Sequence, residues 1–184
     1  HTATFGYDAD GLVVCVSPTT CPGSAALSFT RHSGNGVITS ATSGLLTETH
    51  SVSAYGEPAR HVVADGTTTL YDLTLDSTLF PRDALGRIVR KTEVVLGTTR
   101  ASDYTYDVLG RLTDVVVNGT ASEHYEYDPN GNRLRGVVTR NGVTTDWTGT
   151  FDAQDRLLSY GPLSFTYTAN GELLTKTHST TGDV

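Results

Sequence analysis

Polar and apolar positions alternate along most of this chain in short runs, as in Ser102-Asp103-Tyr104-Thr105-Tyr106 and Leu112-Thr113-Asp114-Val115-Val116-Val117. A period of two puts every second side chain on one face of an extended strand. No apolar period of 3.6 is sustained over ten or more positions, and β-branched residues dominate, so nothing reads as a helix. The runs are separated by turn signals. Asn118-Gly119 and Asn141-Gly142 favour the left-handed backbone of a type I′ hairpin turn. The pattern therefore predicts an all-β chain, with strands of about seven residues spanning about 23 Å each. Tight turns join them into a long antiparallel meander.

The turns themselves repeat. YDVLGRL (106–112), YDPNGNRL (127–134), FDAQDRLL (151–158) and YTANGELL (167–174) share an aromatic residue, usually Asp, a short turn with Gly, and often Arg and Leu. YDADGLV (7–13) and FPRDALGRI (80–88) are further copies. Asp83 to Asp107 is 24 residues, Asp107 to Asp128 is 21 and Asp128 to Asp152 is 24, whereas Asp152 to Thr168 is a shortened 16. In the first half, FTRHSGNGVI (29–38) and YGEPARHV (55–62) stand where units are expected, at 29 and 55, without Asp after the aromatic. The expected organisation is one continuous array: degenerate repeats over 1–79, with a small disulfide loop, and regular repeats over 80–184. Such self-similarity is the signature of a repeat architecture in which each unit packs mainly on its neighbours.

Composition narrows the function classes. The net charge is −7 with Lys and Arg scattered, so the concentrated basic face that nucleic-acid binding requires is missing. No apolar run is long enough for a membrane-spanning helix. The chain opens at His1 in mid-pattern, and we expect it to be part of a longer polypeptide. Cys15 and Cys21 flank Ser17-Pro18-Thr19-Thr20 within CVSPTTCPG. A disulfide across this short loop is expected, and with it an oxidising compartment. A zinc site needs more ligands, and only His32 follows within twenty residues.

The candidate site residues are those of the repeated turn. Asp83 and Arg87, Asp107 and Arg111, and Asp152 and Arg156 are four apart, and Asp128 and Arg133 are five apart. An Asp opening a turn accepts bonds from the backbone N–H groups that follow, and the Arg beyond can pair with it. The expected motif is a structural clamp, with Tyr106 and Tyr127 as its aromatics and Gly110 and Gly131 in its turns. Repeated carboxylates raise glycosidase chemistry, which needs two acids about 5–10 Å apart. An Arg partner would keep each Asp ionised rather than ready to donate a proton. Tyr104 and Tyr125 precede the motif aromatics by two, so aromatics form a ladder on one face. That ladder reads as packing, with a sugar-binding platform as the alternative.

Asp128-Pro129-Asn130-Gly131-Asn132 lacks the glycine position and distal Glu of a calcium loop. The six His residues (1, 32, 50, 61, 124 and 178) are dispersed, with no helical i+4 pair for zinc. Ser33-Gly34-Asn35-Gly36 has no Lys-Ser/Thr after it and reads as a hairpin turn, and no G-x-S-x-G elbow occurs. Asn118-Gly119-Thr120 fits a glycosylation sequon but reads first as a turn. No catalytic residue, cofactor or metal ligand is expected.

YDVLGRLTDV, YDPNGNRL and FDAQDRLLSY resemble the YD repeats of the RHS (rearrangement hotspot) family, which takes in related repeats of teneurins and of toxin-complex C subunits. The resemblance covers about 80–174 closely and 5–79 loosely. It implies β-hairpins coiled as a curved, spiralling antiparallel sheet, part of a hollow shell or barrel. It also implies secretion or surface display. The implied partners are further repeats of the same parent or copies of the chain itself, with an enclosed toxin domain, a glycan or a cell-surface partner as further possibilities. The family's shells end in a self-cleavage segment with an aspartate in a D-P-x-G-L-like context. Here Asp128-Pro129-Asn130-Gly131 runs into Asn132 inside an ordinary repeat, so no protease residue carries over.

Overall fold

The computed structural model describes residues 3–23 and 26–181, and every regular element among them is a β-strand. The chain forms two compact units, 1–102 and 103–184. The first holds β1 (Thr4–Tyr7), β2 (Val13–Ser17), β3 (Leu27–Arg31), β4 (Ile38–Ser43), β5 (Leu46–Val52), β6 (Pro58–Asp65), β7 (Thr68–Thr74) and β8 (Arg90–Val95). Strand β9 (Thr98–Tyr106) runs across the boundary. The second unit continues with β10 (Leu112–Val117), β11 (Thr120–Tyr127), β12 (Arg133–Arg140), β13 (Val143–Phe151), β14 (Leu157–Tyr160), β15 (Leu163–Tyr167) and β16 (Leu173–His178). In each unit the strands pair antiparallel in chain order, the meander that the alternation predicts.

Two kinds of turn recur between the strands. At one, both Asn-Gly pairs have positive φ at each residue, 49° and 78° at Asn118-Gly119 and 51° and 77° at Asn141-Gly142. This is the type I′ geometry, whose twist matches that of the flanking strands. Leu96-Gly97 takes the same shape, with Leu96 at φ 47°. A branched side chain there costs roughly 1–2 kcal/mol, which is why no turn signal was legible at that position.

The other kind is the repeated turn, and its register is constant. Tyr7 pairs with Val13, Val52 with Pro58, Tyr127 with Arg133, Phe151 with Leu157 and Tyr167 with Leu173, each six residues on. A register shift falls immediately before the first residue of each pair. Such a bulge adds local twist and re-aims the side chain beside it. Arg31 and Ile38 form the same joint across one extra residue.

This register corrects the reading of the first half. The units do not begin at Phe29 and Tyr55, because Arg31 and Val52 occupy the place that Tyr127 holds later. The same spacing puts Arg82, not Phe80, in that place before Asp83. The residue that sets the register is the left-handed one closing the turn: Gly56 at φ 81°, Gly86 at 78°, Gly110 at 85° and Asp155 at 60°. Tyr55 sits at a turn tip, 91% exposed.

Burial is thin. Among the described residues the buried apolar side chains are Cys15, Ala26, Ala59 and Val115. Among the described strands, close backbone approaches run between sheet neighbours. Each unit is thus a single β-layer whose apolar residues are mostly half-covered. No described helix is long and apolar enough to cross a membrane.

Candidate functional site

In the repeated turn the carboxylate stands where the chain leaves one strand and must satisfy backbone donors that have no sheet partner. Asp107 Oδ1 accepts from the N–H of Leu109 and of Arg111, both at 2.9 Å. Its Oδ2 accepts from Arg111 Nε at 2.6 Å. The backbone closes beneath, with Asp107 N–H donating to Arg111 O at 2.9 Å and Gly110 N–H to Asp107 O at 3.0 Å. Asp83 repeats the set with Leu85 and Arg87, at 2.9, 2.9 and 2.6 Å. Asp152 repeats it with Gln154 and Arg156, at 2.9, 3.0 and 2.6 Å.

The expected pairing of Asp128 with Arg133 does not form. Asp128 to Gly131 is the same four-residue turn as Asp107 to Gly110, so the side chain that folds back is that of Asn132. Asn132 donates to Asp128 Oδ1 through its backbone N–H at 2.8 Å and to Oδ2 through Nδ2 at 2.9 Å. Arg133 is the first residue of β12 and lies over the rings of Tyr125 and Tyr160, 5.2 Å from each centroid.

The hydrogen bonds hold these acids ionised. Asp107 and Asp152 are lowered from the ordinary carboxylate value, first by the backbone N–H of the following Arg and then by its guanidinium. Asp128 is lowered chiefly by the Asn132 side chain. At Asp83 desolvation pushes upward, but the donors of Arg87 and Leu85 prevail and the net shift is down. Hydrogen bonding to the charged form favours it, so these are poor proton donors near neutral pH.

Three turns lack the Asp–Arg pair: those at Asp8 and Thr168 lie in copies legible in the sequence, and that at Ser53 does not. Asp8 Oδ1 accepts from Asp10 and Leu12 N–H at 3.0 and 2.8 Å. Ser53 Oγ accepts from Tyr55 and Glu57 N–H at 3.2 and 3.3 Å. Thr168 Oγ1 accepts from Glu172 N–H at 3.2 Å. A hydroxyl can replace the carboxylate in this local bonding, though more weakly; the usable signal was the glycine three residues later.

The motif also ties each hairpin to the one before it. Tyr127 Oη donates to Leu112 O at 2.9 Å, and Tyr167 Oη to Leu157 O at 2.8 Å. Arg31 and Arg82 stand at the equivalent place and do the same with a guanidinium. Arg31 Nη2 donates to Val13 O at 2.9 Å, and Arg82 Nη2 to Pro58 O at 2.9 Å. Their Nη1 atoms close their own turns on Gly36 O and Gly86 O, at 2.8 and 2.9 Å. The acceptor in each case opens the strand that follows the preceding repeated turn. From the other side, the Arg111 guanidinium lies 4.9 Å from the Tyr127 ring centroid, and Arg156 lies 5.1 Å from that of Tyr167. Arg111 Nη1 also donates to Asp128 O at 2.6 Å. Between the turns at 128 and 152, Asn130 and Asn132 both donate to Asp155 Oδ1, at 2.9 and 2.7 Å.

Of the remaining candidates, Tyr106 is half-buried at the end of β9. Cys15 and Cys21 form a disulfide with Cα atoms 5.8 Å apart. It lies over Gly6, where a Cβ would sit 3.2 Å from that of Cys21 and 3.3 Å from that of Cys15. Trp147 is half-buried and packs on its neighbours. Its ring lies against Gly161, 2.5 Å from where a Cβ would be, and meets Tyr160 edge-on at 5.7 Å. Tyr125 donates to Glu123 Oε2 at 2.5 Å, and its phenol is pushed up to about 12, first by desolvation and then by Glu123.

One cluster was invisible to a search for helical spacing. His50 and His61, eleven residues apart, are directly opposed in the β5–β6 register. Their rings stack at 4.4 Å with 19° between planes. Glu48, two residues before His50 and so on the same face, places Oε1 3.0 Å from His50 Nε2 and 2.9 Å from His61 Nε2. His1 lies outside the described residues.

The sequence profile of the Teneurin YD-shell family matches residues 21–181. No curated protein matches the chain. Among solved structures, the TcdB2-TccC3 crystal structure without hypervariable C-terminal region aligns with a TM-score of 0.50 at 10% identity, over 99% of this chain and 11% of that one. The TcdB2-TccC3-TEV structure aligns at 0.49 and 10% identity, over 98% and 11% respectively. The chain thus spans about a tenth of the length of the structures it matches, and at this identity the likeness concerns the fold alone.

Proposed function

This chain belongs to the Teneurin YD-shell family, and from that premise we propose that it is a length of wall in a larger secreted or surface-displayed shell. The shell encloses a toxin cargo or builds a cell-surface assembly, and the chain's own partners are further YD repeats. The observation that carries this reading is the single β-layer with almost no buried core. A free-standing domain stabilises itself by covering one face of its sheet. Here the stabilisation is lateral instead: disulfide, capped turns and links from each hairpin to the last. That suits a piece of a continuous surface, whose inner face meets whatever the shell contains. The disulfide fits an oxidising compartment. The turn acids are occupied by their donors, which favours a structural role over the paired free carboxylates of a glycosidase. The packing of Trp147 argues similarly against an exposed sugar platform.

Electron cryo-microscopy of the full polypeptide carrying this segment tests the proposal. We expect 21–181 to continue laterally into further hairpins around an enclosed volume. A segment standing outside any shell, with both faces in solvent, would overturn it.

A further inference from the structure

We propose that Glu48, His50 and His61 bind a divalent transition-metal ion, for which zinc is the natural probe. The three side chains belong to adjacent strands and face the same way: Glu48 and His50 on β5, His61 opposite His50 on β6. One ligand atom from each lies within 4.8 Å of the other two. Two imidazoles and a carboxylate are a donor set suited to zinc and its first-row neighbours. Tetrahedral bonds of about 2.0–2.2 Å place ligand atoms about 3.4 Å apart, so only side-chain rotation is needed to close the set. The His and Glu side chains are 31–43% exposed and have room to rotate.

A second observation favours an ion over a simple charge contact. His61 Nε2 is shielded from solvent and has no hydrogen-bond partner, although it lies 2.9 Å from Glu48 Oε1. The nitrogen therefore faces the carboxylate out of line for donation. A buried nitrogen left in this way needs a partner, and a cation between the imidazole and the carboxylate supplies one. The Tyr71 ring meets that of His61 in a T-shaped contact, with centroids 5.5 Å apart.

The three ligands line a cavity of about 830 Å³ whose other walls include Phe29, Ile38, Leu73 and Leu75. Three protein ligands leave a fourth position open. In this chain that position would open on the same cavity, which Arg31 and Arg60 also line, so the bound ion would hold a water or a small anionic ligand there. The inference is independent of the wall reading, since all three ligands belong to β5 and β6 of this chain.

Calorimetric titration of the chain with zinc chloride tests it. We expect one equivalent to bind with micromolar or tighter affinity. Glu48→Gln, His50→Ala and His61→Ala should each weaken binding by about tenfold or more, while His124→Ala should not. Circular dichroism identifies any variant that fails to fold. Cobalt(II) added to the unaltered chain provides a readout that needs no variant: the intense visible bands of four- or five-coordinate cobalt are expected. No saturable binding at tens of micromolar zinc, faint six-coordinate cobalt bands, or binding undisturbed in His50→Ala and His61→Ala would each overturn the proposal.

Discussion

The two units build the same turn from different residues. In 103–184 the place before the turn acid is held by Tyr106, Tyr127, Phe151 and Tyr167, and all but the last are followed by Asp. In 1–102 that place holds Tyr7, Arg31, Val52 and Arg82, followed by Asp, His, Ser and Asp. Yet the backbone closes alike: Ser53 N–H meets Glu57 O at 2.7 Å, and Asp152 N–H meets Arg156 O at 3.0 Å. What the fold requires is a left-handed residue at a fixed offset and an acceptor for the turn's free N–H groups. The aromatic is one solution to a separate task, reaching back to the previous hairpin, and an arginine is another. A tyrosine hydroxyl offers one donor and a guanidinium five, so Arg31 and Arg82 close their own turns as well.

The comparison can be broken at several points. The largest effect should come from Cys15→Ser in the first unit. Loop-closure arithmetic for so short a ring gives about 2–3 kcal/mol, read by denaturant unfolding. The loss should be confined to 1–102, and equal loss of protection in 103–184 by hydrogen exchange would show that the units do not differ as described. Next comes Gly110→Ala, which forces a Cβ onto a residue at φ 85° and should cost about 1–2 kcal/mol. Asp155, already left-handed without being glycine, gives the complementary test. Asp155→Gly should relieve the backbone but remove the acceptor of Asn130 and Asn132, so no net gain in melting temperature is expected.

Tyr127→Phe removes one donor to Leu112 O and should cost about 0.5–1.5 kcal/mol. If the wiring is as described, Arg82→Lys should weaken the first unit in the same manner, because an ammonium cannot reach two carbonyls in the planar geometry of the fork. A change of neither melting temperature would mean that the links between hairpins contribute nothing.

Acid should separate the units least, but with a defined sign. The folded-state values of Asp107, Asp128 and Asp152 lie below the ordinary one. Their contribution is therefore present above the unfolded carboxylate value, near 3.9, and is lost as pH falls through the lower folded values. The first unit has Asp83 in this class, together with Asp72, which the Arg60 side chain lowers. Melting of 103–184 should thus fall more steeply with acid than melting of 1–102.

Much of this was legible in the sequence. The alternation and the Asn-Gly pairs predict the strands and the type I′ turns, and the Asp-to-Arg spacing of four predicts which side chains meet at 83, 107 and 152. What misled was the aromatic. Tyr55 and Phe29 draw the eye, but neither occupies the motif position, and the glycines at 56 and 36 carried the register. Residue type alone favours Arg133 as the partner of Asp128, but the offset from the left-handed Gly131 gives the place to Asn132. The His50–His61 pair follows from the β5–β6 register that the turn at Gly56 sets, and was hidden as long as the unit was placed at Tyr55.

The central claim is that the Asp-turn-Arg set is structural and ties hairpin to hairpin. Arg111 carries it most fully, bonding Asp107, covering Tyr127 and donating to Asp128 O. Urea unfolding of Arg111→Ala is the direct measurement. We predict a midpoint lowered by the equivalent of about 0.5–2 kcal/mol, with an unchanged denaturant slope. A midpoint equal to that of the unaltered chain would contradict the account.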